Sequence, residues 1–143
     1  MSSHRSPPQV TITRRLTFDA AHRLYNPELS DEENRVLFGK CSNPNGHGHT
    51  YTLEVSVADR VDSITGFVAD LGKLKQLVEK HIVEKMDHKN LNSDVSFLRG
   101  INPTAENIVV ACWRVLESRV TQGTLVRLRL WETPNNYVEY EGR

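Results

Sequence analysis

From His47 to Ala58 the chain alternates, with Tyr51, Leu53, Val55 and Val57 on one phase and Thr50, Thr52, Glu54 and Ser56 on the other. That period of two belongs to a β-strand with one buried and one wet face. His47 and His49 fall on the apolar phase, so the strand carries two imidazoles toward whatever it packs against. Buried polar rings need partners, and the rest of the chain must supply them.

An earlier strand supplies a third ring. Val10, Ile12, Leu16 and Phe18 share one side, and the same phase continued through Ala20 reaches His22. Residues 26–46 sustain no apolar period and read as a long polar loop. Ile64-Thr65-Gly66-Phe67-Val68 reads as a turn into a third strand, and Asp70 as the N-cap of a helix whose Leu71, Leu74, Val78 and Ile82 share a face. Pro103 or Thr104 opens a second helix carrying Ile108, Ala111, Cys112, Val115 and Leu116 at helical spacing. Strands over Leu125–Glu132 and Tyr137–Tyr140 follow, joined by Thr133-Pro134-Asn135-Asn136. The order β-β-β-α-α-β-β predicts an α+β fold, an antiparallel sheet with helices packed on one face.

The 143 residues suffice for one domain. Residues 1–9 read as a flexible leader and 10–143 as the single domain. Eighteen Lys and Arg cancel eighteen Asp and Glu, which argues against a simple electrostatic nucleic-acid binder. The longest apolar run, Ile108–Trp113, is too short to span a membrane. No secretory signal opens the chain, and Cys41 and Cys112 make no disulfide framework; together these predict a reducing, cytoplasmic setting.

An isolated His-x-His pair reads as readily as a turn or as satisfied core rings. His22 in phase, with Cys41 close by, turns the balance toward a metal held by His22, His47 and His49. Zn²⁺ accepts neutral imidazole, and three protein ligands leave a fourth position open, as catalysis requires. Cys41 lies in the polar loop, whereas Cys112 on its apolar helix face reads as inert packing. A reactive thiol needs a basic neighbour, and Asp87-His88 is the candidate, although an adjacent pair alone also reads as a capping or loop pair. Glu132 continues the inward phase of Val126, Leu128 and Leu130, unless the strand ends at Trp131 and leaves it in solvent. Turned inward, its carboxylate would need hydrogen-bond donors, and a ligand with paired N–H groups, such as a pterin or guanine ring, would suit it.

The combination of Cys41-Ser42-Asn43-Pro44-Asn45-Gly46-His47-Gly48-His49, His22 upstream, Asp87-His88-Lys89-Asn90-Leu91 and the late Trp131-Glu132-Thr133 closely resembles the 6-pyruvoyl-tetrahydropterin synthases. The likeness runs from about Ile12 to Gly142 and includes Leu37-Phe38-Gly39-Lys40 and Thr65-Gly66. It implies that His22, His47 and His49 hold one Zn²⁺ per subunit and that Cys41 is the proton acceptor. Asp87 and His88 would form its relay, and Glu132 would anchor the pterin ring and join that relay. The family's Thr-Glu pair falls on Thr104 and Glu106, with Ala105 where some members carry a second Thr.

The resemblance further implies the tunnelling fold, a four-stranded antiparallel sheet with two helices on one face. Three subunits would close into a barrel, and two trimers would stack into a homohexamer with active sites between subunits. The substrate would be 7,8-dihydroneopterin triphosphate, converted to 6-pyruvoyl-tetrahydropterin for tetrahydrobiopterin biosynthesis. No nicotinamide or flavin is required, because the side chain is oxidised as the ring is reduced. The triphosphate must be held by cations, for which Arg14, Arg15, Lys40 and Lys89 are unranked candidates, with or without an accompanying Mg²⁺. The rival readings are a 6-carboxy-tetrahydropterin synthase and a zinc-stabilised binding module without turnover. A metal-dependent hydrolase would need a water-activating base that His47-Gly48-His49 does not offer.

Overall fold

The computed structural model describes residues 5–143. Its strands are β1 (Gln9–His22), β2 (His47–Arg60), β3 (Lys89–Asn90), β4 (Thr124–Thr133) and β5 (Asn136–Tyr140). The helices are α1 (Asp31–Phe38), α2 (Leu71–Val78), α3 (Glu84–Met86) and α4 (Ala105–Leu116). The sheet runs β3-β1-β2-β4-β5. β1, β2, β4 and β5 form the expected four-stranded antiparallel array, and β3 adds a two-residue parallel rung at Ala20 and Ala21. Of the predicted leader, Met1–His4 lie outside the described residues, and β1 begins at Gln9.

One face of the sheet carries the core. Leu16 and Phe18 of β1, Tyr51, Leu53, Val55 and Val57 of β2, and Leu128 and Leu130 of β4 are buried with Leu74, Val78, Ile82 and Met86 and with Ile108, Cys112 and Leu116. The strict spacing of four along 74, 78, 82 and 86 would drift about 40° per step on an ordinary helix. A π-helical turn over Glu79–Val83 joins α2 to α3, and its wider winding holds all four on the sheet.

Four expectations from the sequence are corrected. No strand forms over 64–68, because Asp62 accepts from the backbone N–H groups of Ile64 and Thr65 and curls the segment into a turn. Residues 26–46 are not loop throughout: Ser30 and Glu33 close a capping box that starts α1, and a 3₁₀ turn, Gly39–Ser42, carries Cys41. Val10 and Leu71, expected inward, are each 41% exposed. The register slips opposite Ser56 and Val57, so Leu125 rather than Val126 is buried, while Leu128 and Leu130 keep the inward phase. Asp70 caps α2 as predicted, accepting the Gly72 and Lys73 N–H groups, and of the two residues expected to open the second helix Thr104 is the cap, accepting the Asn107 N–H.

Candidate active site

β1 and β2 pair without a break, and their register sets His22 opposite His47 and Ala20 opposite His49. All three rings emerge at one end of the buried face, next to Tyr51, whose ring stacks 5.1 Å from that of Phe18. One ring nitrogen from each histidine lies within 4.8 Å of the others, and His22 Nε2 and His47 Nε2 are 3.1 Å apart. Two ligands of a tetrahedral ion at ~2.0–2.1 Å stand roughly 3.3 Å from each other. His22 Nδ1 lies 2.8 Å from the Pro103 carbonyl, so it carries the proton and leaves Nε2 as a lone pair. His49 Nε2 is buried without a hydrogen-bond partner. An orphaned imidazole nitrogen aimed into a cluster of two others is the donor set a divalent cation such as zinc requires.

Burial lowers the pKa of His22 and of His49, the charge on Glu132 opposing it in each case. Burial, with Glu132 second, also raises the Tyr51 phenol far above its usual value. Both imidazoles are therefore held in the neutral form that binds metal.

Glu132 settles between its two readings on the inward side. β4 continues to Thr133, and Glu132 is the extra residue where the β5 register skips between Trp131 and Thr133. The bulge aims its half-buried carboxylate to 3.6 Å from His49 Nε2. Glu132, Thr104 and Glu106 line one cavity of ≈ 190 Å³ together with Leu24 and Val138. Thr104 is already engaged as a cap, its hydroxyl accepting from Asn107 N–H. A larger hollow of ≈ 640 Å³ opens on the other side of Glu132, bounded by Arg15, His49, Thr50 and Trp131. Arg15 is spent on Glu54 at 2.7 Å.

Asp87 and His88 do pair, and they are tied to Asp19 of β1. Asp87 Oδ2 lies 3.0 Å from His88 Nδ1, and Asp87 Oδ1 accepts the Asp19 N–H at 2.9 Å. That backbone donor, then the His88 contact, holds the Asp87 carboxyl below its usual range. His88 N–H donates to the Asp19 carbonyl at 2.6 Å. Among the described residues His88 is the one non-glycine with positive φ, at 59°. Asp19 alternates to the sheet face opposite His22, where it accepts from Thr50. Among the described residues, no hydrogen bond or ion pair joins Asp87 or His88 to Cys41 or to the three histidines. Cys41 is a half-buried free thiol, and Cys112 is fully buried, its thiol pushed up to about 12.

Two supporting groups had no signal in the sequence: the Pro103 carbonyl, which is backbone, and Asp19, whose role depends on its neighbour across the strand. Tyr51 did have one, since it shares the phase of His47 and His49.

Residues 11–143 match the family described as 6-pyruvoyl tetrahydropterin synthase. A 6-pyruvoyl tetrahydrobiopterin synthase from Pongo abelii is 47% identical over 134 residues, covering 94% of this chain and 92% of the relative. A solved structure of the Caenorhabditis elegans 6-pyruvoyl tetrahydropterin synthase superposes with a TM-score of 0.91 at 39% identity, covering 97% of this chain and 99% of that one. A 6-carboxy-5,6,7,8-tetrahydropterin synthase from Rickettsia conorii is more distant, 32% identical over 91% of this chain and 99% of the relative.

Proposed function

The chain belongs to the 6-pyruvoyl tetrahydropterin synthase family, and from that premise we propose that it converts 7,8-dihydroneopterin triphosphate to 6-pyruvoyl-tetrahydropterin with release of triphosphate. The observation that carries this reading is the group of three imidazole nitrogens beside an inward carboxylate. The 47% and 32% identities favour the pyruvoyl over the carboxy product.

His22, His47 and His49 would hold one zinc ion per subunit. Zinc there supplies Lewis-acid polarisation of the substrate's side-chain hydroxyls. The Glu132 carboxylate accepts N–H donors of the pterin ring, with Thr104 and Glu106 at the same cavity. Cys41, as thiolate, removes protons from the side-chain carbons, and Asp87 with His88 returns them. The electron pair left by the first proton moves into the ring and reduces it, so the side chain is oxidised without an outside electron acceptor. Removal of the second proton expels the triphosphate from the terminal carbon.

That no hydrogen bond or ion pair among the described residues joins Asp87-His88 to Cys41 or to the cluster supports a site completed between subunits, in a homohexamer of two stacked trimers. Apolar Val36, Leu37, Ile64 and Phe67, all strongly exposed in the single chain, are surfaces for such assembly. We place the working enzyme in the cytoplasm.

Mass spectrometry of the pterins formed by zinc-loaded protein tests the reaction. A pyruvoyl product with free triphosphate supports it. A carboxylated product moves the chain to the sister reaction, and unchanged substrate with zinc bound leaves a binding module.

A further inference from the structure

The four residues that end β1 and leave it, His22 to Tyr25, tie together the histidine cluster, the start of α4 and the turn bearing Cys41. His22 reaches the Pro103 carbonyl, one residue ahead of the Thr104 cap. Leu24 N–H donates to the carbonyl of Cys41 at 2.8 Å. Arg23 Nε donates to the buried Ser42's carbonyl at 2.7 Å, and its guanidinium carbon lies 4.1 Å from the centre of the Tyr25 ring. The turn bearing Cys41 is thus hung on residues 23 and 24.

Residue 23 is itself held by an unusual clamp. The Asn92 side chain accepts the Arg23 N–H and donates to the Arg23 carbonyl, both at 2.7 Å. The pair of bonds prolongs by side chain the short backbone pairing that ends at Ala21 and Asn90. Asn92 follows His88 by four residues, so the clamp also ties down the strand leaving the Asp-His pair.

We propose that Arg23 and Asn92 are positioning residues: Asn92 fixes the backbone of residue 23, and Arg23 holds the Cys41 turn in register with the three-histidine cluster. The proposal rests on Cys41 being the proton acceptor only for its effect on turnover, because the clamp itself can be read from the reactivity of the thiol.

The test uses Arg23→Met, Arg23→Lys, Asn92→Ala and the milder Asn92→Asp in the zinc-loaded enzyme. For each, kcat, KM, zinc per chain and the rate of Cys41 alkylation by iodoacetamide are measured, the buried Cys112 serving as internal control. Arg23→Met and Asn92→Ala should lower kcat by about tenfold or more through misplacement of the thiol. KM should stay within about twofold, zinc should remain stoichiometric, and Cys41 alkylation should change severalfold. Arg23→Lys should recover part of the loss, since an ammonium still donates to the Ser42 carbonyl but loses the guanidinium's contact with the Tyr25 ring. Wild-type alkylation in both Arg23→Met and Asn92→Ala overturns the clamp, whatever turnover does. Loss of kcat that tracks loss of zinc also overturns it. Altered alkylation with unaltered turnover keeps the clamp and instead removes Cys41 from the reaction, an outcome that Cys41→Ala reports separately.

Discussion

His22 Nδ1 faces the Pro103 carbonyl at 2.8 Å while its Nε2 faces His47 Nε2 at 3.1 Å. One ring therefore links the start of α4 to the cluster, and the backbone carbonyl decides which nitrogen is free to bind. His47→Ala removes one of the three donors without touching that link. Metal analysis should find the variant depleted of zinc, with the fold retained by circular dichroism. Stoichiometric zinc in His47→Ala would mean that the ligand set is wrong.

Cys41 sits in a 3₁₀ turn whose carbonyls are tied to β1's exit, and the cluster of three nitrogens is complete without it. Cys41→Ala should therefore abolish turnover and leave zinc content nearly unchanged. Activity equal to wild type would end its role as the base.

Gly46 has φ +70°, and a Cβ there would stand 2.9 Å from the His22 carbonyl oxygen. Both the left-handed backbone and the contact exclude a side chain, at about 1–2 kcal/mol for the backbone alone. The neighbour that must yield is the main chain of His22, one of the three clustered histidines. Gly46→Ala should lower stability and weaken zinc retention against a chelator more than Gly48→Ala, where the nearest atom is an ordinary 3.7 Å away. Equal retention in the two variants would show that the cluster absorbs the shift.

Burial, the larger influence on both rings, lowers His22 and His49 below their ordinary value near 6.5. As pH falls below about 6.5 the unfolded chain then binds more protons than the folded one, so stability present above that value is lost toward the lower folded values. Chelator-treated protein should melt at a lower temperature near pH 5.5 than near pH 7.5, and His49→Gln should shrink the difference. A difference of the same size in His49→Gln would assign the pH dependence to other groups.

Much of this site was legible in the sequence because the relevant residues ride on strands. A period of two fixes which way His22, His47 and His49 point, and an unbroken β1–β2 register then makes them neighbours. Glu132 was ambiguous for a physical reason: it is a bulge residue, and a bulge adds a residue that alternation cannot count. Helix α1 was missed because Ser30-Asp31-Glu32-Glu33 is a capping signal followed by little apolar surface. Its one buried residue is Asn34, which takes up the Asn26, Leu29 and Ser30 carbonyls instead of packing. That no hydrogen bond among the described residues joins the Asp-His pair to the thiol had no local signal, since it depends on where the chain emerges after the π turn.

His88 holds its imidazole out at 78% exposure from a backbone conformation that suits glycine or asparagine. The chain thus keeps a residue that its own folding would trade away. His88→Gly, by relieving the left-handed strain, should raise the melting temperature by about 2–4 °C while removing turnover. Selection for a sturdier protein alone would erase this histidine, so under the proposed relay role durability and chemistry pull in opposite directions at position 88.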